Sequence, residues 1–175
     1  MAQALGAQAR GVAQTRTGRI AEAKKTLAGA EAAVQKVHAA HAGNDDFDLL
    51  LRDMASSAAS RLRAEIALTE KRGDAALAEQ ALAVASAKRA DDAEPPMLAA
   101  GATLALADMQ LALGRAVDAE ATYRSDLVSQ PDSGWALRGL ARALALQGKT
   151  AEAASTSERA ERAWAQADAA LKTRS

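Results

Sequence analysis

The chain has 175 residues, enough for one domain with a modest core. Lysine plus arginine and aspartate plus glutamate number 22 each, so the formal net charge is zero and neither nucleic acid nor a membrane is expected as a partner. The absence of cysteine excludes a disulfide framework, a thiol nucleophile and a cysteine metal site. Hydrophobic residues make up 49% of the chain but aromatic residues only 2%, so alanine, leucine and valine dominate. Because alanine and leucine favour helix and runs of β-branched residues are absent, we predict an all-α fold.

The first half of the chain predicts two helical hairpins with turns at Gly18 and Gly73. The second helix carries an apolar stripe at three- and four-residue spacing. Its members are Ile20, Ala23, Leu27, Ala30, Val34, Val37 and His41. A break at "GNDD" (43–46) separates this helix from the third. The start, "MAQALGAQARG", lacks the apolar stretch of a secretory signal, so we expect a cytoplasmic protein, or a periplasmic one if the chain is a fragment of an exported protein.

The second half predicts two further hairpins, with turns at Gly114 and Gly148 and a break at "QPDSG" (130–134) between them. Pro95 and Pro96 in "DDAEPP" end one helix and admit the next. Gly134 is placed in the turn between repeats, and Gly139 is expected to let neighbouring helices approach. The last helix is predicted to be long and to cap the C-terminal end, with the stripe Ala153, Ser157, Ala160, Trp164, Ala167 and Leu171.

An internal repeat connects the four turns. Each turn glycine is followed five residues later by an alanine, at Ala23, Ala78, Ala119 and Ala153. Gly114 and Gly148 are 34 residues apart, as are Leu106 and Leu140. A period of 34 residues is that of the tetratricopeptide helix–turn–helix unit.

Several stretches resemble tetratricopeptide repeat (TPR) proteins, and in particular the C-terminal part of larger bacterial members. They are "ARGVAQTRTGRIAEA" (9–23), "EPP" (94–96), "GRAVDAEATYRSDL" (114–127), "DSGWALRGLARALALQGKTAEA" (132–153) and "AWAQAD" (163–168). The resemblance implies a TPR-like α-solenoid of about four antiparallel hairpins in a single domain, 1–175. Repeats are degenerate over 1–94 and match best over 95–175.

The resemblance also implies a function: a scaffold or adaptor that holds a protein or peptide in a concave groove, without catalysis and without a cofactor. In such repeats the first helix of each pair lines the groove. This register places Trp135, Arg138 and Arg142 in the last repeat, and Leu104 and Asp108 in the one before. Two guanidinium groups one turn apart could grip an acidic side chain or a carboxylate end. The alternative is that both arginines are solvated or paired with acids of a neighbouring helix, and that Trp135 packs at the repeat junction. Trp164 is expected in the core.

Other functions receive less support from the sequence. His38 and His41, three residues apart with Asp45, Asp46 and Asp48 beyond, could form a zinc site of a metal-dependent enzyme. His41 however completes the apolar stripe at a helix end, and the aspartates suit a helix N-cap, so no metal is expected. A further alternative is a structural C-terminal fragment whose functional site lies upstream. The N-terminal helix is expected to pack on a preceding repeat or on a second copy of the chain, which would form a homodimer.

Overall fold

The structure, a computed structural model, describes residues 2–91 and 99–165, and these form eight α-helices and no strand. The helices are α1 (Ala2–Arg16), α2 (Ile20–Ala40), α3 (Asp46–Thr69), α4 (Gly73–Asp91), α5 (Ala99–Ala112), α6 (Ala116–Ser129), α7 (Gly134–Leu146) and α8 (Thr150–Ala163). The prediction of an all-α chain of four hairpins is confirmed. The predicted break at Pro95–Pro96 and the predicted extension of the last helix through Ala167 and Leu171 lie outside the described residues.

Three hairpin turns share one backbone geometry. Gly18, Gly114 and Gly148 have φ angles of 75°, 74° and 75°, in the left-handed region that only glycine adopts freely. At the first turn, Gly18 N–H donates to the carbonyl of Thr15, and Arg19 N–H donates to the carbonyl of Gln14. This pair of hydrogen bonds is a Schellman closure, which satisfies the last carbonyls of the preceding helix. The predicted role of these three glycines is confirmed.

The α3–α4 turn has the same closure with a different residue. Lys71, not Gly73, is left-handed, with φ of 60°. Its N–H donates to the carbonyl of Leu68, and Arg72 N–H donates to the carbonyl of Ala67. Gly73 is instead the first residue of α4, so the prediction of a turn at Gly73 is wrong by two residues.

The chain divides into two compact units, Met1–Ala102 and Thr103–Ser175, and the division falls within α5. In the first unit, α3 packs against both helices of the α1–α2 hairpin and against α4. Gly11 of α1 allows this approach, because a Cβ there would overlap the side chain of Leu62. The hairpins of this unit therefore stack in chain order, as predicted. The single domain remains a prediction.

The second unit has its own core. Tyr123 of α6 is fully buried, and Gly139 of α7 lies against its ring, since a Cβ at Gly139 would overlap the phenol. The role predicted for Gly139 is confirmed. The core cluster consists of Ala107, Ala119, Tyr123, Ala136, Leu140, Ala143, Leu144 and Ala153, from all four helices α5 to α8.

The prediction that Gly134 forms the turn between repeats is wrong. Gly134 is the first residue of α7, and the N-cap is Ser133, whose hydroxyl accepts the N–H of Ala136 at 3.3 Å. A Cβ at Gly134 would overlap the indole of Trp164. Gly134 therefore gives space to an aromatic side chain instead of forming the turn.

Candidate peptide-binding site

Three of the residues predicted to line the groove lie on α7. Trp135, Arg138 and Arg142 are the second, fifth and ninth residues of α7, as the predicted register requires. Trp135 is 48% exposed. It meets Trp164 edge-on, with ring centroids 4.7 Å apart and an interplanar angle of 87°. This aromatic pair connects the start of α7 to the end of α8 and leaves part of one indole open to a ligand.

A cavity of about 700 Å³ lies between α7 and α8. Arg138 and Arg142 line the α7 side, while Ser157, Glu161 and Trp164 line the α8 side. The remaining wall is largely alanine. The cavity therefore combines a small-residue surface with two guanidinium groups and one carboxylate.

Arg142 is an exposed cation. Among the residues that the structure describes, it makes no hydrogen bond or ion pair. It lies close enough to Tyr123 to lower that residue's pKa, although burial and the bond to Asp108 raise this pKa more strongly. The guanidinium of Arg142 can therefore accept an anionic group without first breaking an internal pair.

The two predicted residues on α5 have other surroundings. Leu104 is partly buried and packs against the core cluster of the second unit. Asp108 is exposed, and its Oδ1 accepts a hydrogen bond of 2.5 Å from the hydroxyl of Tyr123. Neither residue lines the cavity. The structure brings Arg138 and Arg142 together on the cavity wall, and Trp135 lies outside that wall. The groove-lining role of all five residues remains a prediction.

The sequence does not predict that α8 forms one side of the cavity. Trp164 was expected in the core, but it is only partly buried and lines the cavity, and its Nε1 has no hydrogen-bond partner among the described residues. Ser157 was placed on the apolar stripe, but it is exposed, and Thr156 is the buried residue of that turn. The available signal was the 34-residue period, which aligns α8 with α6.

An ion-pair network braces this region. Glu120 of α6 is 4% exposed and accepts hydrogen bonds from Lys149 Nζ at 2.8 Å and Gln147 Nε2 at 2.6 Å, and it also pairs with Arg124. The Lys149 ammonium is the main cause of the lowered pKa of Glu120. Because these groups connect α6 with the α7–α8 turn, they hold the hairpin in place beside the cavity.

The two histidines have separate partners. His38 Nε2 lies 3.0 Å from Ser56 Oγ, and His41 Nδ1 lies 2.8 Å from Asp48 Oδ1. Asp45 is the N-cap of α3 and accepts the N–H of Asp48. Within residues 2–91 and 99–165, no group of three or more histidine, aspartate or glutamate side chains is placed to hold a metal ion.

Comparison with known proteins identifies a relative that is similar to part of this chain. No protein-family model matches the chain. The cellulose synthase 1 operon protein C of Komagataeibacter xylinus is 40% identical over 100 residues, which are 54% of this chain and 8% of that protein. The chain thus matches only a small part of the length of this relative.

Three solved structures are similar at 18% identity. MamA AMB-1 has a TM-score of 0.42 over 98% of this chain and 97% of its own. MamA MSR-1 has a TM-score of 0.41 over 96% and 100%, and a further MamA structure has 0.43 over 100% and 98%. Since the TM-scores are below 0.5, these structures carry no weight in assigning a function.

The repeated hairpins define the class of protein. Left-handed turns, a 34-residue period and hairpins that stack in chain order within each unit make this a TPR-like, all-α protein. None of the helices described is both long enough and apolar enough to cross a membrane.

Proposed function

We propose that this chain is a protein-interaction scaffold that binds an acidic peptide, or the carboxylate end of a peptide, along α7. The observation that carries the proposal is the position of Arg142, an exposed guanidinium at the wall of a cavity of about 700 Å³, without a hydrogen bond or ion pair to any described residue. Arg138, one helical turn earlier, lines the same wall. The role needs neither catalysis nor a cofactor.

The chemistry of the wall suits a carboxylate. A guanidinium presents a planar fork of donors that matches the two oxygens of a carboxylate, and Arg138 and Arg142 emerge on one face of the helix. The half-exposed indole of Trp135 offers apolar area beside them. A peptide with an acidic group and a neighbouring apolar side chain would engage both features.

Binding can be followed by intrinsic fluorescence. Trp164 lines the cavity and Trp135 contacts Trp164 edge-on, so the emission of the two tryptophans of the chain reports on this region. We expect a library of acidic peptides to contain binders for the wild type, and Arg142→Ala to weaken them about fivefold to tenfold. Arg162→Ala is the matched control, because Arg162 is an exposed arginine of α8 that does not line the cavity. Absence of any binder for the wild type would refute the proposal.

A second candidate is a purely structural segment of a larger protein. The similarity to 8% of a much longer relative favours it. In that case neither the wild type nor Arg142→Ala binds any peptide, and the longer protein loses stability when this segment is deleted. A homodimer through α1 remains a separate prediction, and analytical ultracentrifugation of the chain tests it.

A further inference from the structure

Within each unit, the first helix of the second hairpin lies against the hairpin before it. In the first unit, α3 packs against both α1 and α2. In the second unit, α7 lies against α6, with Gly139 on the ring of Tyr123, and Leu140 joins the cluster to which α5 and α6 contribute. The surface formed by a hairpin is therefore a seat for one further helix.

The α5–α6 seat is made by six residues that belong to the core cluster or pack against it. They are Leu104, Ala107 and Leu111 on α5, and Ala119, Tyr123 and Leu127 on α6.

The 34-residue period transfers this seat to the next hairpin. The six equivalent residues are Arg138, Ala141 and Ala145 on α7, and Ala153, Ser157 and Glu161 on α8. All six line the cavity between α7 and α8. The cavity is therefore formed by the positions equivalent to those of the α5–α6 seat and lies one repeat later in the chain. None of the described helices fills it.

The chemistry of this seat differs from that of its predecessor at four of the six positions. Leu104 is replaced by Arg138, Leu111 by Ala145, Tyr123 by Ser157 and Leu127 by Glu161, while alanine is retained at the two positions of Ala141 and Ala153. Asp108, just beside the seat, is likewise replaced by Arg142. The apolar anchors have thus become charged, and the loss of the tyrosine ring opens volume at the centre.

We infer that the α7–α8 seat binds an amphipathic α-helix of a partner protein, with a small-residue stripe toward the alanines and acidic residues one turn apart toward α7. The inference rests on the proposed function and specifies the conformation of its ligand. The arginines of α7 match acidic residues of the incoming helix, and Glu161 matches a basic residue on its other flank. Small residues let the backbones approach closely, as Gly139 does against Tyr123.

The test uses two labelled peptides of about 16 residues, long enough to form helix. Both contain glutamates at i and i+4 on an alanine background with one lysine, and the second has a central proline that breaks the helix. The inference predicts that wild type binds the helical peptide at least about tenfold more tightly than the proline peptide, with a rise in helical circular dichroism on binding.

Two variants locate the binding in the seat. Ser157→Tyr restores the residue found one repeat earlier, so it should weaken the helical peptide about tenfold, and a glycine scanned through the peptide's alanines should recover the loss at one position, as Gly139 accommodates Tyr123. Arg142→Ala should weaken binding about fivefold to tenfold, and Arg162→Ala should leave it unchanged. Circular dichroism of each variant alone verifies folding.

The outcomes separate the inference from the proposed function. If the helical and proline peptides bind equally, the helix seat is refuted while acidic-peptide binding stands. If neither binds, both fail. If the helical peptide binds but neither Ser157→Tyr nor Arg142→Ala weakens it, the site lies elsewhere and the inference is overturned. It is also overturned if the chain alone is a dimer that Ser157→Tyr dissociates, because a second copy then occupies the seat.

Discussion

Replacing Lys71 by glycine should stabilise the first unit. Lys71 has φ of 60°, and an L-residue with a Cβ pays about 1–2 kcal/mol in the left-handed region. Glycine removes this cost, but its greater conformational freedom in the unfolded chain offsets about 0.5–1 kcal/mol of the gain. The expected net gain in the free energy of unfolding is therefore about 0.5–1 kcal/mol.

The measurement is urea denaturation followed by far-UV circular dichroism, since both tryptophans lie in the second unit. The matched control is Gly114→Ala, which forces a Cβ into the same turn geometry, φ of 74°, and should cost about 1 kcal/mol or more. Among the described residues the Lys71 side chain makes no ion pair, so its removal breaks none. If Lys71→Gly lowers the stability, the left-handed turn at Lys71 is not the source of strain and the reasoning is wrong.

Three further changes probe the second unit. Gly139→Ala pushes a methyl group into the ring of Tyr123 and should lower the free energy of unfolding by about 1–3 kcal/mol in urea denaturation; wild-type stability would contradict the close contact. Desolvation raises the pKa of Asp126 above the unfolded value of about 3.9. The stability that the protonated carboxyl contributes is therefore fully present below the unfolded pKa, and it is lost as the pH rises through the folded pKa. Asp126→Asn should therefore raise the thermal midpoint at pH 7 by removing a buried charge, and an unchanged midpoint would argue against it. The pKa of Glu120 is lowered, so the stability that this carboxylate contributes is present above the unfolded pKa and is lost as the pH falls through the folded pKa. Glu120→Gln should therefore lower the thermal midpoint at pH 7 but not at about pH 2. An equal effect at both pH values would exclude the charge of Glu120 as the cause.

The hairpins could be predicted because glycine in a left-handed turn leaves a clear signal. The α3–α4 turn could not be placed from glycine alone, because Lys71 occupies the left-handed position and Gly73 lies two residues later. A second signal was present in the sequence. A basic residue follows the left-handed residue at each of the four hairpin turns, and an alanine four residues beyond it is buried. These pairs are Arg19 and Ala23, Arg72 and Ala76, Arg115 and Ala119, and Lys149 and Ala153.

The candidate site was predictable on one side only. The register gives Trp135, Arg138 and Arg142 as the second, fifth and ninth residues of α7, and these are their positions in the structure, while their groove-lining role remains a prediction. The α8 side was not predicted, because helical periodicity shows which residues share a face but not whether another helix covers that face. Trp164 illustrates the difference: it belongs to the stripe, yet it borders a cavity, since the described chain supplies no helix there.

Chemical-shift mapping by NMR tests the central claim most directly, namely that the α7–α8 hairpin offers a seat to an incoming acidic helix. Titration of ¹⁵N-labelled protein with the helical peptide should shift the backbone amides of Ala141, Arg142, Ser157 and Glu161 in a saturable manner, while amides of α1 to α4 stay in place. Shifts confined to α1–α4, or none at saturating peptide, would contradict the account.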